Sequence, residues 1–370
     1  MNGPKRILLV RHGAFGDCLL ITPFIRQLRA SHRDAEIHVL SFFDFFQHYP
    51  EVNQWIDARK VSFEKIATEY DEIRFFSYEQ APASHILDGF EFSSELKLKI
   101  DAPFVPEVSP EVQNRFLKAH GLQTKKYIVF TPFAGPHARD LVESRAAEIV
   151  ERMQSAFPEY RIVLFHNKKK FFSGAINVLG KRTFLEMVTL MRNSSACLTV
   201  DTGFLHLAQA CGTPTVVIAG PTDPALRITR PELAQTVQAP VECLGCYHRH
   251  IGTFGTAFTT CFRQDWACKF SFSTQECVQK LKLAIDGARV KPARTLRRNP
   301  QRAAIFRKMA SFGDLKLHNV QAHYCEMIER ERVVSNSLKG RVRTQARLAL
   351  DLARSVRDSL VTAKALFSRK

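Results

Sequence analysis

A chain of 370 residues is long for one small core and suits two α/β domains. With 45% hydrophobic and 24% charged residues, and no apolar run near the roughly 20 residues of a membrane span, the composition is that of a globular protein. The net charge of +17 is concentrated at one end: residues 289–370 hold 20 Lys and Arg against 6 Asp and Glu, which is +14 and leaves +3 for the rest. Such a tail seeks an anionic surface, whether acidic lipid headgroups, an acidic glycolipid or nucleic acid. The opening MNGPKRILLVRHG has a five-residue apolar run and no cleavage-site pattern, so a cytosolic location is expected. There the nine cysteines read as free thiols or metal ligands rather than disulfides.

In chain order, RILLV (Arg6–Val10) reads as a buried strand. The glycines of RHGAFGD (Gly13 and Gly16) turn the chain, and DCLLITPFIRQLRA (Asp17–Ala30) reads as one helix. Further strands are expected at Glu36–Ser41 and Glu72–Phe76, alternating with helices as in parallel βαβ units. The aromatic stretch Phe42–Asp57 between them reads as core packing under a loop. A second unit begins at Lys126 with YIVFTPFAG, again a strand running into a glycine turn. It continues with a helix (Glu143–Phe157), a strand (Tyr160–His166), a helix (Thr183–Ser195) and a strand and turn (Ala196–Gly203). Then come a short helix (Phe204–Gly212), a strand ending in a proline-rich turn (Pro214–Pro224) and a helix opened by a Ser-x-x-Glu capping box (Ser273–Gly287). The expected organisation is two Rossmann-like lobes, residues 1–125 and 126–288, with a cleft between them and a basic helical tail, 289–370.

In the tail, Val342, Ala346, Ala349, Ala353, Val356, Leu360, Ala363 and Phe367 form a narrow apolar seam on a basic helix. The seam suits packing on the body or on a partner helix, and equally an acidic membrane surface. No aromatic-interleaved basic platform accompanies the charge, which argues against nucleic acid.

The densest chemical signal is DTGFLHLAQACGTPTVVIAGPTDP, Asp201–Pro224. Asp201 ends a strand, where open α/β sheets bind ligands. Thr202 and Gly203 open a helix whose free N–H groups and dipole suit an anion, and Gly203 lets a phosphate come close. His206, one turn on, stands where it could reach a second phosphate. Asp201 also reads as a helix N-cap, which is compatible with ordering a diphosphate loop. Asp17 has the same plain reading, an N-cap.

Taken together, GAFGDCLLITP near the N-terminus and DTGFLHLAQACGTPTVVIAGPTDP in the second half resemble the ADP-heptose:lipopolysaccharide heptosyltransferase family, glycosyltransferase family 9. The resemblance spans about Arg6 to Asp286 and implies a GT-B fold, acceptor lobe first and nucleotide-sugar lobe second, and inverting chemistry without a catalytic metal. It implies that Asp17, beside Gly13 and Gly16 on the acceptor-side loop, is the catalytic base. Such a base takes the acceptor's proton as its oxygen attacks the anomeric carbon. It also implies that Thr202, Gly203 and His206 hold the donor diphosphate while Asp201 orders their loop.

Two departures stand out. Arg139, in TPFAGPHARD, occupies the place of a family lysine that neutralises the leaving diphosphate. Lys168, Lys169 and Lys170 stand where a ribose-binding carboxylate is usual, and also read as a solvated face. Cys243-x2-Cys246-x14-Cys261-x6-Cys268 begins with the knuckle spacing of a four-thiolate site. Relatives that modify autotransporter proteins carry a four-cysteine iron site in this region, so a structural zinc or iron is implied. Unligated thiols are the plainer alternative.

The expected donor is ADP-heptose and the expected acceptor an acidic glycolipid at the cytosolic face of the inner membrane. The same fold could serve a protein or another polysaccharide acceptor, or a non-catalytic nucleotide-sugar-binding assembly protein.

Overall fold

A computed structural model describes residues 3–78, 85–99, 102–134, 137–166, 171–179, 182–246, 261 and 263–287. The basic tail, its apolar seam and Lys168–Lys170 lie outside the described residues.

Two fully parallel sheets carry the fold. The first has the order β3-β2-β1-β4, from β1 (Arg6–Val10), β2 (Glu36–Ser41), β3 (Gln54–Asp57) and β4 (Glu72–Phe75). Ile7 of β1 pairs with Ile37 on one side and Glu72 on the other. The second has the order β10-β9-β8-β5-β6-β7, from β5 (Tyr127–Thr131), β6 (Arg161–His166), β7 (Ile176–Leu179), β8 (Ala196–Val200), β9 (Thr215–Ala219) and β10 (Ala234–Gln238). Strands β5, β8 and β9 are buried at every residue, because helices cover both faces of a parallel sheet.

The order places the sites. In the first sheet the chain winds outward from β1 through β2 to β3, and then returns to the other side of β1 as β4. In the second it winds from β5 to β7 and then returns beside β5 as β8. Each reversal opens a crevice at the carboxyl ends of two neighbouring strands, the usual ligand position in such sheets. One crevice receives the loop after β1 and residues 76–78. The other receives the turns after β5 and β8.

The helices are α1 (Phe15–Leu19), α2 (Thr22–Ser31), α3 (Phe63–Ala67), α4 (Ile86–Ser94), α5 (Pro110–Ala119), α6 (Glu143–Ala156), α7 (Phe184–Asn193), α8 (Gly203–Ala210) and α9 (Thr274–Ile285). The single helix expected over Asp17–Ala30 is two, α1 and α2, broken at Leu20 and Ile21. Pro23 explains the break: it lacks an N–H and sits in the first turn of α2. Ser273 accepts from the Glu276 N–H at 3.1 Å, as the capping signal required.

Strands β3, β7 and β10 escape the sequence reading. β3 and β7 form sheet edges, and β10 closes the far edge with the mixed pattern AQTVQ. Half-covered strands need no continuous apolar run.

The lobes touch directly. α5 packs on α7 of the second sheet, and the Asn193 amide donates to Gln113 Oε1 at 3.2 Å. One apolar cluster runs from β1 and α2 through Phe45, Phe46 and Tyr49 to Phe184 on α7 and Leu207 on α8. Most of the aromatic stretch is thus core, as its composition suggested.

Candidate active site

The first loop leaves β1 with Arg11 almost wholly buried, 2% exposed. Its guanidinium donates through Nη1 to the Phe76 carbonyl at 2.9 Å and through Nη2 to Asp17 Oδ2. Asp17 is the third residue of α1, and the Ala14 N–H donates to its Oδ2 at 3.3 Å. The carboxylate is therefore held at a helix N-terminus by one buried cation, with 13% of the side chain open to solvent.

On the second lobe Asp201 follows β8 and pairs with Arg139 Nη1 at 3.0 Å. Burial alone would raise its pKa. The charges of Arg139, Arg227 and His206 overcome that and hold it at about 2, so Asp201 is a permanent anion. The Thr202 hydroxyl caps α8 by accepting from the Phe204 N–H at 2.9 Å.

His206 is placed differently from the sequence reading. It is 3% exposed, packs against Gly16 within electrostatic reach of Asp201 and Asp17, and is not among the residues that line the cleft. Burial pushes its pKa down to about 4 against the pull of Asp201 and Asp17, so the imidazole is neutral at neutral pH. Its buried Nδ1 has no hydrogen-bond partner.

The two loops meet through glycines. A Cβ on Gly16 would fall 2.6 Å from His206 Cδ2 and 2.8 Å from Gly203 Cα. A Cβ on Gly203 would fall 2.7 Å from Phe15 Cδ1 and 3.1 Å from the Gly16 nitrogen. Bare backbone at both positions lets α1 and α8 abut, which brings Asp17 up to the donor-lobe loop. Gly13 has no such role: a Cβ there meets only Phe42 and Phe43, at ordinary distances of 3.8 and 3.9 Å.

Between the lobes lies a cleft of about 1160 Å³. Thr202 and Gly203 line it, with an aromatic wall that includes Phe15, Phe45, Phe184 and Phe204 and with the cations Arg115, Arg139 and Arg182. The Phe45 and Phe184 rings stack across the lobes at 4.5 Å. Phe43 and Asp44 also line the cleft, so this end of the aromatic stretch is more than core. A cleft with an anion-binding helix end, arginines and aromatic faces suits a charged, nucleotide-sized ligand.

The model of glycosyltransferase family 9 (heptosyltransferase) matches residues 79–250. The match covers a little under half of the chain. Residues 79–250 thus carry the signature of a glycosyltransferase domain. Solved structures agree on the fold. A family 9 glycosyl transferase from Veillonella parvula DSM 2008 is 15% identical, with a TM-score of 0.58 over 76% of this chain and 97% of that one. The E. coli ADP-heptose LPS heptosyltransferase II is 17% identical, with a TM-score of 0.56 over 76% and 99%. The iron-containing dodecameric glycosyltransferase TibC from enterotoxigenic E. coli H10407 is 16% identical, with a TM-score of 0.57 over 77% and 78%. No curated protein matches by sequence. The two parallel sheets and facing loops are the GT-B arrangement that the resemblance implied.

The four cysteines come into one neighbourhood. Burial and the negative charge of Cys246, Cys243 and Cys261 push the Cys268 thiol up to about 11. Four thiols are the right donors for zinc or iron. Among the described residues, though, no three metal-ligating side chains are spaced to hold one ion. Cys18, Cys197 and Cys277 are buried small hydrophobes with raised pKa values, as their apolar surroundings predict.

The sequence reading missed Arg11 and Arg227. A buried arginine right after a buried strand is a signal that it needs an acid, and Asp17 six residues on supplies one. Nothing local marks Arg227, because its role depends on the approach of the other lobe.

Proposed function

We propose that the chain is an inverting heptosyltransferase that moves a heptose from ADP-heptose to a lipopolysaccharide core or a related acidic glycolipid. The observation that carries this reading is the Gly16–Gly203 contact, which sets Asp17 against the loop that opens α8 at the cleft. The donor choice draws further support from TibC, whose structure was solved in complex with ADP-D-β-D-heptose.

In this reading Asp17 removes the proton from an acceptor hydroxyl while that oxygen attacks the anomeric carbon. The bond from that carbon to the diphosphate oxygen breaks on the opposite face, and the diphosphate leaves with the electron pair. Thr202 and Gly203 offer the positive end of α8 to the departing anion. Arg139, paired with Asp201 and lining the cleft, brings its guanidinium charge to the phosphate oxygens. His206 stays neutral, packed against Gly16, and no step uses a metal. Asp17→Asn tests the base: a rate fall of about 10²–10⁴ supports it, and unchanged transfer refutes it. A thermal-shift panel of nucleotide sugars tests the donor, since binding stabilises the fold by mass action. Stabilisation by a UDP- or GDP-sugar and none by an ADP-sugar overturns the heptose assignment.

The reading places the enzyme at the cytosolic face of the inner membrane, with residues 289–370 as a basic arm on acidic lipid. Among the described residues no helix is long and apolar enough to cross a membrane. If a chain ending at Gly287 stays on membranes in low salt, the arm is not the anchor. The four cysteines are assigned a structural zinc or iron on their donor chemistry and their spacing in the sequence. Metal content near one iron or zinc per chain supports it, and metal-free folded protein refutes it.

A further inference from the structure

Tyr78 follows β4 and enters the crevice of the first sheet beside Arg11. It is fixed from below by α4. A Cβ on Gly89 would fall 2.6 Å from Tyr78 Cβ, so the Tyr78 main chain lies against bare helix, and the Phe90 ring sits 5.9 Å from its ring. Two guanidinium groups come to the Tyr78 ring. Arg11 stands 5.4 Å from its centroid and Arg227, from the other lobe, 4.9 Å. Arg11 is the cation that holds Asp17, and Arg227 is one of the two arginines that keep Asp201 ionised. The segment makes a second clasp nearby: His85 donates through Nε2 to the carbonyl of Ile228, next to Arg227, at 3.0 Å.

We propose that Tyr78 is a positioning residue that seats the base lobe on the donor lobe by joining Arg11, which pairs with Asp17, to Arg227 of the other lobe. The proposal rests on the reading of Asp17 as the base. Arg11 is neutralised by Asp17, and Arg227 lies within electrostatic reach of Asp201, so the repulsion between the two cations at one ring is tempered. Arg227 is 3% exposed, and a cation on an aromatic face is held more strongly in such a desolvated place. A shift of one lobe relative to the other would take Arg227 off the ring and Asp17 away from the donor loop together. Tyr78 thus acts on the geometry of transfer and leaves the diphosphate contacts of Thr202, Gly203 and Arg139 alone.

The test measures kcat for transfer from ADP-heptose to a lipopolysaccharide core acceptor, the ADP-heptose Kd by calorimetry, and the Tm. Tyr78→Leu is expected to lower kcat about tenfold with the Kd within about twofold, and Tyr78→Phe, which keeps the ring, to match wild type. Arg227→Lys keeps the charge beside Asp201 and weakens the stacking. It should lower kcat by about threefold or more, and it carries the test alone if Tyr78→Leu does not fold. The double variant should fall no further than the worse single one. Wild-type kcat in Tyr78→Leu or Arg227→Lys, an equal loss in Tyr78→Phe, or falls that multiply in the double variant each overturn the proposal. Full activity in Asp17→Asn would overturn the underlying reading instead, and a dead Asp17→Asn beside a fully active Tyr78→Leu sinks the positioning role alone.

Discussion

The two crevices of this protein are built alike and tuned apart. Each follows a central strand with an acid at a helix start, and each acid is paired with a buried or half-buried arginine. Asp201 is the over-determined one, its side chain 5% exposed and held at about 2 by two arginines and a histidine. Asp17 has one cation, one backbone donor and 13% exposure. An anion locked on every side orders a loop, whereas one with an open edge can receive a proton. The residue type is the same, and the difference in surroundings is what the proposed division of roles rests on.

The largest effect expected from breaking this comparison is kinetic. Asp17→Asn should cost about 10²–10⁴ in transfer rate and less than half the stability loss of Asp201→Asn, checked by steady-state rates and thermal melts on both. Asp201→Asn comes next. It leaves the charges of Arg139 and Arg227 uncompensated around a buried site, so a loss of about 3–5 kcal/mol is expected in denaturant unfolding. A loss below that of Asp17→Asn would reverse the two roles.

The pH dependence of stability separates His206 from Asp201. The folded pKa of His206 lies at about 4, below its ordinary 6.5, so the unfolded chain binds the extra proton first. Stability is complete above about 6.5 and falls as pH drops toward 4, by about 3 kcal/mol in all. Asp201, depressed from 3.8 to about 2, contributes stability that is present above about 4 and is lost only as pH falls through 2. In His206→Gln the slope between pH 6.5 and 4 should flatten while the loss below pH 4 remains. Urea melts across pH would show this, and an unchanged slope would place the titration elsewhere.

The smallest effect concerns the glycines. Gly16→Ala or Gly203→Ala puts a methyl into backbone or ring atoms under 3 Å away and should cost about 1–3 kcal/mol. Gly13→Ala, with only ordinary contacts, should stay within about 0.5 kcal/mol. Equal Tm values for the three would mean that the lobes do not close on Gly16 and Gly203.

Much of this was readable in advance. The apolar runs of β1 and β8, the cap at Ser273 and the joint spacing of the two motifs all pointed to facing Rossmann-like lobes, whereas the cap of α8 falls on Thr202, one residue after the Asp201 that was expected there. The break between α1 and α2 was also legible in Pro23, had the proline been read as a first-turn residue. The displaced role of His206 was not. A histidine one turn into a helix looks the same in sequence whether it faces a cleft or the back of another loop.

By itself the sequence determined the parallel strands, the glycine turns and the acids that follow them, because burial on both faces and helix capping are local demands on residue type. Only the tertiary structure decided that Gly16 rests on Gly203, that His206 packs against Gly16, and that Arg11 and Arg227 share the ring of Tyr78. Those contacts join segments far apart in the chain, and their energies exist only once the two lobes have closed on each other.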